Sequence, residues 1–234
     1  MDEVALQREY YARTSHAFDA MHLQGDEHVL ACHLLVAFLK AQNPDATILD
    51  IGAGTGRLFE FLQEQNLQFT IIGVEPSHAQ RGIAYNKGIR PDHLIEGDAT
   101  KLEFPDNHFD FCTEFGVLHH IKKNRQALRE MCRVASKGVF LSDSNNFGQG
   151  TFLVRVIKRL LRILRLWKLA VLFNTGGKGY TYSDGDGVFY SFTAFDCISI
   201  LREKFPSIYI WNTKPLKGKN LFFGADHVAI LAHR

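Results

Sequence analysis

The chain contains 234 residues, of which 46% are hydrophobic and 22% charged, and its formal net charge is +2. These values are ordinary for a globular protein and exclude a disordered, collagenous or low-complexity chain. The length suits a single domain, and the mild positive charge gives no argument for nucleic-acid binding.

Two features bear on the cellular compartment. The first twenty residues mix acidic and basic side chains and contain no apolar h-region, so no secretory signal is readable. The four cysteines show neither metal-ligand spacing nor a disulfide framework. We therefore expect a cytoplasmic protein in a reducing setting, without a metal site.

Apolar periodicity predicts helices that alternate with strands. The first 42 residues read as helices, and helical segments also follow the first, second and fourth strands. The five predicted strands are Thr47–Ile51, Phe69–Val74, His93–Glu96, Phe109–Thr113 and Val139–Ser142. This alternation is typical of a doubly wound parallel sheet.

The chain beyond residue 146 departs from that alternation. We predict one long amphipathic helix over Thr151–Leu172 and a glycine- and tyrosine-rich loop over Asn174–Gly187. Thr193–Phe205 is predicted to be helical, with its first residue as the N-cap. Two late strands, Ser207–Thr213 and His227–His233, are joined by a short segment, which favours an antiparallel pair.

A glycine-rich turn follows the first strand, in Asp50-Ile51-Gly52-Ala53-Gly54-Thr55-Gly56. Glycines are needed where the backbone turns tightly and meets a ligand directly, although a plain strand-to-helix turn can also contain them. The third glycine comes one position too early for the dinucleotide fingerprint, which disfavours a nicotinamide oxidoreductase. The carboxylate of Asp50 suits a ligand with an ammonium group better than a pyrophosphate.

Acidic residues also end the next two strands. Glu75 is placed to accept both ribose hydroxyls of a nucleoside. Asp98 can accept from an adenine amino group, with the Ala99 backbone N–H beside it. Taken singly, each acid is typical of a helix N-cap or a solvated loop charge. Together with Asp50 they are predicted to converge on one crevice at the carboxyl ends of the strands.

These motifs resemble the class I S-adenosylmethionine-dependent methyltransferases that act on small molecules. The resemblance covers about residues 45–145, in the segments Ile48–Gly56, Gly73–Ser77, Glu96–Ala99, Phe104–Asp110 and Val117–Ile121. It implies an α/β fold: a Rossmann-like, doubly wound, seven-stranded, mostly parallel sheet with an antiparallel last strand. N-terminal helices and a helical and loop insertion after strand five complete this single domain. The implied cofactor is S-adenosylmethionine, with S-adenosylhomocysteine as product.

The resemblance also implies which residues hold the cofactor. Asp50 and the glycines would hold the methionine moiety, Glu75 the ribose and Asp98 the adenine. Glu114 is a departure, because the family has a small or polar residue in that place. The full implied set is Tyr11, Asp50, Gly52, Gly54, Gly56, Glu75, Pro76, Asp98, Ala99, Glu114 and Phe115.

Two histidines follow the fourth strand, His119 and His120. A methyl group leaves a sulfonium by in-line displacement, so the protein mainly aligns the acceptor and excludes water. A general base helps when the acceptor is a hydroxyl, and a neutral imidazole is available near neutral pH. Both histidines are therefore candidate catalytic residues; the alternative is that one packs against or caps the following helix.

The remaining segments are expected to cover the acceptor. We divide the domain into an N-terminal helical cap (1–42), a cofactor-binding core (45–145), an acceptor lid (147–190) and a C-terminal helix with two strands (193–234). An aromatic loop with a purely structural role is the alternative for the lid. The candidate substrate-binding residues are Arg13, Asn145, Tyr180, Tyr182 and Tyr190.

Six basic and no acidic residues lie in the helix predicted after strand five. A basic amphipathic helix can lie on a membrane surface or hold an anionic partner. The arrangement we favour is a lid helix that buries its apolar side on the domain.

The sequence therefore predicts methyl transfer to a small-molecule acceptor, with oxygen as the favoured atom. Nitrogen or carbon methylation and a non-catalytic, cofactor-binding regulator are the alternatives. No RNA-binding module is readable, and we expect a monomer or a homodimer that does not bind nucleic acid.

Overall fold

A computed structural model gives the structure of the protein and describes residues 6, 7, 9–11, 13, 14 and 26–234. Seven strands form one sheet: β1 (Thr47–Ile51), β2 (Thr70–Val74), β3 (Leu94–Ile95), β4 (Phe109–Phe115), β5 (Ala135–Ser144), β8 (Ser207–Asn212) and β9 (His227–His233). Their order across the sheet is β3-β2-β1-β4-β5-β9-β8. Strands β6 (Tyr180–Ser183) and β7 (Gly187–Tyr190) form a separate hairpin.

Helices precede, connect and follow these strands. Helix α1 comprises the helical residues 6, 7, 9–11, 13 and 14. The other α-helices are α2 (Asp26–Gln42), α3 (Arg57–Glu64), α4 (His78–Asn86), α5 (Asn124–Val134), α6 (Phe152–Ile163), α7 (Trp167–Asn174), α8 (Ile198–Leu201) and α9 (Leu221–Gly224). Short 3-10 helices lie at Leu118–His120, Asn146–Gly148 and Ala194–Cys197.

The sheet confirms the predicted fold class. Strands β1 to β5 run parallel, and β9 is inserted antiparallel between β5 and β8. Each face of the sheet is covered by helices: α5 and α8 pack on one face, and α2 and α3 pack on the other. Because both faces are covered, the central strands are nearly continuous runs of buried apolar side chains.

The strand order places a crevice at the carboxyl end of β1. The chain leaves β1 towards β2 on one side, and β4 pairs with β1 on the other side. Connections that depart in opposite directions leave an opening beyond the strand ends, where ligands bind in open α/β sheets. The glycine turn, the end of β2 and the end of β4 therefore share one edge.

The insertion after β5 differs from its prediction in two places. A single helix over Thr151–Leu172 is wrong, because α6 ends at Ile163 and α7 begins at Trp167. Arg165 lies between them with a φ of +60°, which a continuous α-helix does not contain. The predicted loop over Asn174–Gly187 is also wrong in part, since its second half enters the β6–β7 hairpin.

The expected burial of the insertion is wrong as well. Neither α6 nor α7 contains a buried residue, so these helices do not bury an apolar side on the domain. Across the described residues, we find no helix with the length and apolar character needed to span a membrane.

Candidate active site

A cavity of about 670 Å³ lies at the crevice beyond β1, β2 and β4. Twelve of the predicted site residues line it: Tyr11, Asp50, Gly52, Gly54, Glu75, Pro76, Asp98, Ala99, Phe115, His119, His120 and Tyr190. Its volume lies within the range of roughly 300–1,000 Å³ that small-molecule and cofactor sites occupy.

The three glycines of the turn have different neighbours. All three have a positive φ, which side-chain-bearing residues rarely adopt. A Cβ on Gly52 would lie 2.6 Å from Val117, and one on Gly56 would lie 2.1 Å from Ile89. A Cβ on Gly54 would meet nothing closer than 3.8 Å. Gly52 and Gly56 thus permit close packing, whereas Gly54 leaves space at the cavity wall; Gly56 itself does not line the cavity.

Glu75 is buried and held by the glycine turn. Its Oε2 accepts from the Gly54 backbone nitrogen at 3.1 Å, and its Oε1 accepts from the Ser77 backbone nitrogen at 2.7 Å. Burial raises the pKa of Glu75 to about 7, although these two hydrogen bonds favour the ionised form. The carboxylate is therefore fixed in orientation at the wall of the cavity.

Asp50 is the second buried acid of the cavity. The Thr113 hydroxyl donates to its Oδ1 at 2.7 Å. Burial raises the pKa of Asp50 to about 7, against the opposing effects of the Thr113 hydrogen bond and the Arg57 guanidinium. A cationic group bound nearby would favour the ionised carboxylate.

The remaining predicted cofactor residues on the cavity are more varied. Asp98 is exposed, and its Oδ1 accepts from the backbone nitrogen and hydroxyl of Thr100 at 2.8 and 2.9 Å. Ala99 beside it is buried, and Pro76 is exposed. Tyr11 in α1 lines the cavity, and burial raises the pKa of its phenol.

The two histidines lie on the 3-10 turn after β4, each with Nδ1 held by an acceptor. His119 Nδ1 lies 2.6 Å from Oδ1 of Asp143, and His120 Nδ1 lies 2.6 Å from the Val188 carbonyl oxygen. Carboxylate and carbonyl oxygens only accept here, so both Nδ1 atoms donate. The two Nε2 atoms lie 3.6 and 3.5 Å from the carboxylate of Asp186.

The electrostatics of the two histidines are set by their neighbours. Burial by itself lowers the pKa of His119, but Asp143 and Asp186 outweigh burial and raise it to about 10. Although burial opposes the change, the imidazoles of His119 and His120 hold the pKa of Asp186 well below its ordinary value. His119 is thus an imidazolium at neutral pH and has no lone pair with which to accept a proton.

His119, His120 and Asp186 also place three ligand atoms within 4.8 Å of one another, an arrangement that can hold a metal ion. The ion pair between the His119 imidazolium and Asp186 accounts for the same cluster. Two buried histidines of the cavity region, by contrast, are kept neutral: burial lowers the pKa of His28 well below its ordinary value and that of His227 to about 4.

Two predicted residues of the core serve the protein scaffold. Glu114 is buried off the cavity, and its carboxylate accepts from the backbone nitrogens of Val117 and Ser142 at 2.9 and 3.1 Å. It therefore braces the turn that carries the histidines. Asn145 is also buried; its amide donates to the Ala225 carbonyl at 2.7 Å and its Oδ1 accepts from the Thr193 hydroxyl. It joins β5 to the C-terminal segment and does not line the cavity.

Besides Asn145, three further predicted substrate-binding residues lie outside the cavity lining: Arg13, Tyr180 and Tyr182. The Arg13 guanidinium donates to the Tyr182 hydroxyl at 2.9 Å on the exposed side of the hairpin. Tyr180 packs against Tyr190, with ring centroids 6.2 Å apart. Only Tyr190 among the three hairpin tyrosines reaches the cavity.

Several cavity residues are absent from the sequence-based set, namely Gln7, Tyr10, His28, Val117 and Asp186. Asp186 lies in Asp184-Gly185-Asp186-Gly187, between two runs rich in aromatic and β-branched residues. An Asp-Gly pair in that setting is a hairpin signal, and it could have placed Asp186 at a defined turn. Nothing in the local sequence marks Gln7 or His28.

Residues 49–142 match the family model of the methyltransferase domain. The matched segment extends from β1 to β5 and covers less than half of the chain. In this segment the chain is similar to the class I S-adenosylmethionine-dependent methyltransferases.

Known proteins share this segment. The chain is 35% identical over 96 residues to demethylmenaquinone methyltransferase of Renibacterium salmoninarum, covering 41% of this chain and 39% of that protein. It is 34% identical over 104 residues to a probable tRNA methyltransferase 9B of Mus musculus, covering 43% of this chain and 22% of that protein. The matched segment thus spans well under half of these relatives.

A solved structure shares the fold over the whole chain. Magnesium protoporphyrin IX methyltransferase from Synechocystis PCC 6803, crystallised with bound S-adenosylhomocysteine, superposes with a TM-score of 0.59 at 16% identity. The superposition covers 98% of this chain and 99% of that chain. The arrangement of the insertion and the C-terminal strands is therefore compatible with this class of fold.

Proposed function

We propose that the protein transfers a methyl group from S-adenosylmethionine to a hydroxyl oxygen of a small-molecule acceptor. The observation that carries the proposal is the cavity at the carboxyl edge of the sheet. It joins the glycine turn and three acids to two histidines, His119 and His120, on one cavity wall.

The residues of the cavity fit S-adenosylmethionine. The open space at Gly54 admits a ligand against the backbone. Asp50 would hold the ammonium group, Glu75 the ribose hydroxyls and Asp98 the adenine amino group. When bound, the cofactor supplies an electrophilic methyl group on a sulfonium.

The two histidines then have different roles. His119, as an imidazolium between Asp143 and Asp186, holds its part of the wall in one orientation. His120 donates its Nδ1 proton to the Val188 carbonyl, so its neutral tautomer carries a lone pair on Nε2. We assign the general base to His120: its Nε2 takes the proton of the acceptor hydroxyl, and Asp186, 3.5 Å away, stabilises the imidazolium that forms.

Residues of α1 and of the β6–β7 hairpin would exclude water from the cavity. Tyr10 and Tyr11 of α1 line the cavity, together with Asp186 and Tyr190 of the hairpin. The Val188 backbone nitrogen donates to Oε1 of Gln7, which joins the two elements. Closing a site in this way orients the acceptor and prevents hydrolysis of the reactive methyl donor.

The proposal is tested by incubating the protein with isotopically labelled S-adenosylmethionine and a metabolite extract. We expect one compound to gain a labelled methyl group on oxygen. His120→Gln should slow that reaction by about 10²- to 10⁴-fold, the usual contribution of a general base, without weakening cofactor binding. His78→Gln, at an exposed histidine that does not line the cavity, is the matched control. Cofactor binding with no transfer to any metabolite would identify a regulator instead.

An acceptor of the demethylmenaquinone kind is the second candidate. It is favoured by the 35% identity to the Renibacterium enzyme of that name over 96 residues. NMR of the labelled product distinguishes the two candidates, because a methyl group on a ring carbon resonates apart from one on oxygen. A carbon-bound product formed at full rate by His120→Gln contradicts the hydroxyl proposal.

A further inference from the structure

An apolar stripe faces outwards along α6. Leu153, Ile157, Leu160 and Leu164 follow one another at spacings of four, three and four residues, which places them on one side of the helix. Their exposed fractions are 66%, 47%, 53% and 63%. A stripe with this spacing ordinarily packs on the domain, so its exposure needs a physical explanation.

The opposite side of α6 explains the orientation. The Arg155 guanidinium donates to the Phe223 carbonyl at 3.1 Å, and Lys158 Nζ donates to the Asn146 carbonyl at 2.8 Å. Arg162 pairs with Asp196 at 2.6 Å. The basic side chains therefore attach the helix to the domain, and this attachment directs the apolar stripe away from the domain.

Helix α7 extends the same surface. Leu169, Leu172 and Phe173 are exposed, and Phe173 reaches 92%. We refer to the outward-facing apolar side chains of 152–173 as the α6–α7 surface. Monomeric proteins rarely expose so many large apolar side chains side by side, and such patches mark interaction sites.

The charges around the α6–α7 surface have one sign. No acidic residue occurs between positions 152 and 183. Arg159, Arg165 and Lys168 are exposed. Within the described part of the chain, the side chains of Arg165 and Lys168 make no hydrogen bond or ion pair. The apolar stripe is thus accompanied by exposed basic side chains, two of which make no ion pair or hydrogen bond within the described chain.

We propose that the α6–α7 surface docks on an anionic phospholipid membrane, with α6 and α7 lying in the plane of the interface. Leucine, isoleucine and phenylalanine side chains enter the boundary between headgroups and acyl chains, and the cations meet lipid phosphates. A protein partner is less favoured because the surface offers one sign of charge, without the alternation that selects a complementary protein. The proposal does not depend on methyl transfer.

Vesicle sedimentation tests the proposal without any activity measurement. We expect the full chain to bind vesicles of phosphatidylcholine and phosphatidylglycerol, and to bind pure phosphatidylcholine far more weakly. The variant Leu153→Ser/Ile157→Ser/Leu160→Ser/Leu164→Ser should lose binding. Tyr209→Ser changes an exposed aromatic residue outside the α6–α7 surface and should bind like the wild type.

A second variant tests the cations. Arg165→Gln/Lys168→Gln removes two side chains without fold partners, and each basic residue near an anionic surface is worth about five-fold in affinity. We therefore expect a loss of roughly 25-fold that added salt reproduces in the wild type. Circular dichroism and thermal unfolding confirm that each variant is folded.

Two results would overturn the proposal. One is a folded wild-type protein that does not bind the anionic vesicles. The other is a dimer, measured by light scattering, that the four-serine variant converts to a monomer while vesicle binding is absent. In that case a second copy of the chain covers the surface.

Discussion

Nδ1 of His119 lies 2.6 Å from Oδ1 of Asp143, a fully buried carboxylate in β5. With Asp186 on the other side of the ring, this contact raises the pKa of His119 to about 10, against the effect of burial. The unfolded chain has an imidazole pKa of about 6.5. The ion pair therefore contributes its full stabilisation of the folded state below about pH 6.5. This stabilisation is lost as the pH rises towards 10.

The first prediction follows from that pKa. Asp50 and Glu75, with pKa values of about 7, are largely ionised above about pH 8, whereas His119 contributes to the pH dependence of stability up to about pH 10. We expect the free energy of unfolding to fall with pH more steeply in the wild type than in Asp143→Asn over this window. Urea unfolding at several pH values measures the difference. Asp92→Asn is the control, because this exposed ion pair with Arg90 does not involve His119 and the slope should not change.

The second prediction concerns Glu75. Its replacement by alanine removes a charged acceptor for the ribose and two hydrogen bonds to the glycine turn. Charged hydrogen bonds contribute about 1.5–3 kcal/mol, so we expect cofactor affinity to fall about 10- to 150-fold in calorimetry. Glu103→Ala, an exposed acid off the cavity, should bind normally. An unchanged dissociation constant in Glu75→Ala contradicts the ribose assignment.

The third prediction concerns Gly54. Valine at this position places methyl groups in the open space of the cavity, so we expect cofactor binding to be abolished. The positive φ adds a cost of about 1–2 kcal/mol in stability. Gly88→Val is a matched control, because Gly88 also has a positive φ, with open space around its Cβ position and no place on the cavity wall. Normal cofactor binding by Gly54→Val would mean that the turn is only structural.

The fourth prediction separates the tyrosines of the hairpin. Tyr190→Ala removes a ring from the cavity wall, and we expect KM for the acceptor to rise about 10-fold, the scale of one lost aromatic contact. The cofactor dissociation constant should stay the same. Tyr182→Ala, on the outer side of the same hairpin, should leave both constants unchanged. Equal effects from the two substitutions argue against an acceptor role for Tyr190.

The parallel part of the fold was predictable because each strand combines two local signals. Ile48 and Leu49 belong to a short apolar run, and Asp50 with the following glycines ends it. Such runs are typical of a parallel strand that is buried on both faces. The residues that bind a ligand then lie at the carboxyl end of the strand. The acids at the ends of β1, β2 and β3 were placed on one cavity by this reasoning alone.

The insertion could not be predicted in the same way. The spacing of Leu153, Ile157 and Leu160 shows that they share a side of α6, but it does not show which side faces the domain. That choice depends on Asp196, 34 residues from its partner Arg162, and on the carbonyl of Phe223, 68 residues from its partner Arg155. The role of His119 was hidden for a similar reason, since Asp143 and Asp186 meet it only in the folded chain.

The hydrogen bond between Val188 and Gln7 connects parts of the chain that are 181 residues apart. Both parts cover the cavity, and both lie outside the segment 49–142 that relatives share. This hydrogen bond therefore links the N-terminal helix to the hairpin in one joined cover of the cavity. Under the proposed function, proteins that share the segment 49–142 but differ in this cover should methylate different acceptors.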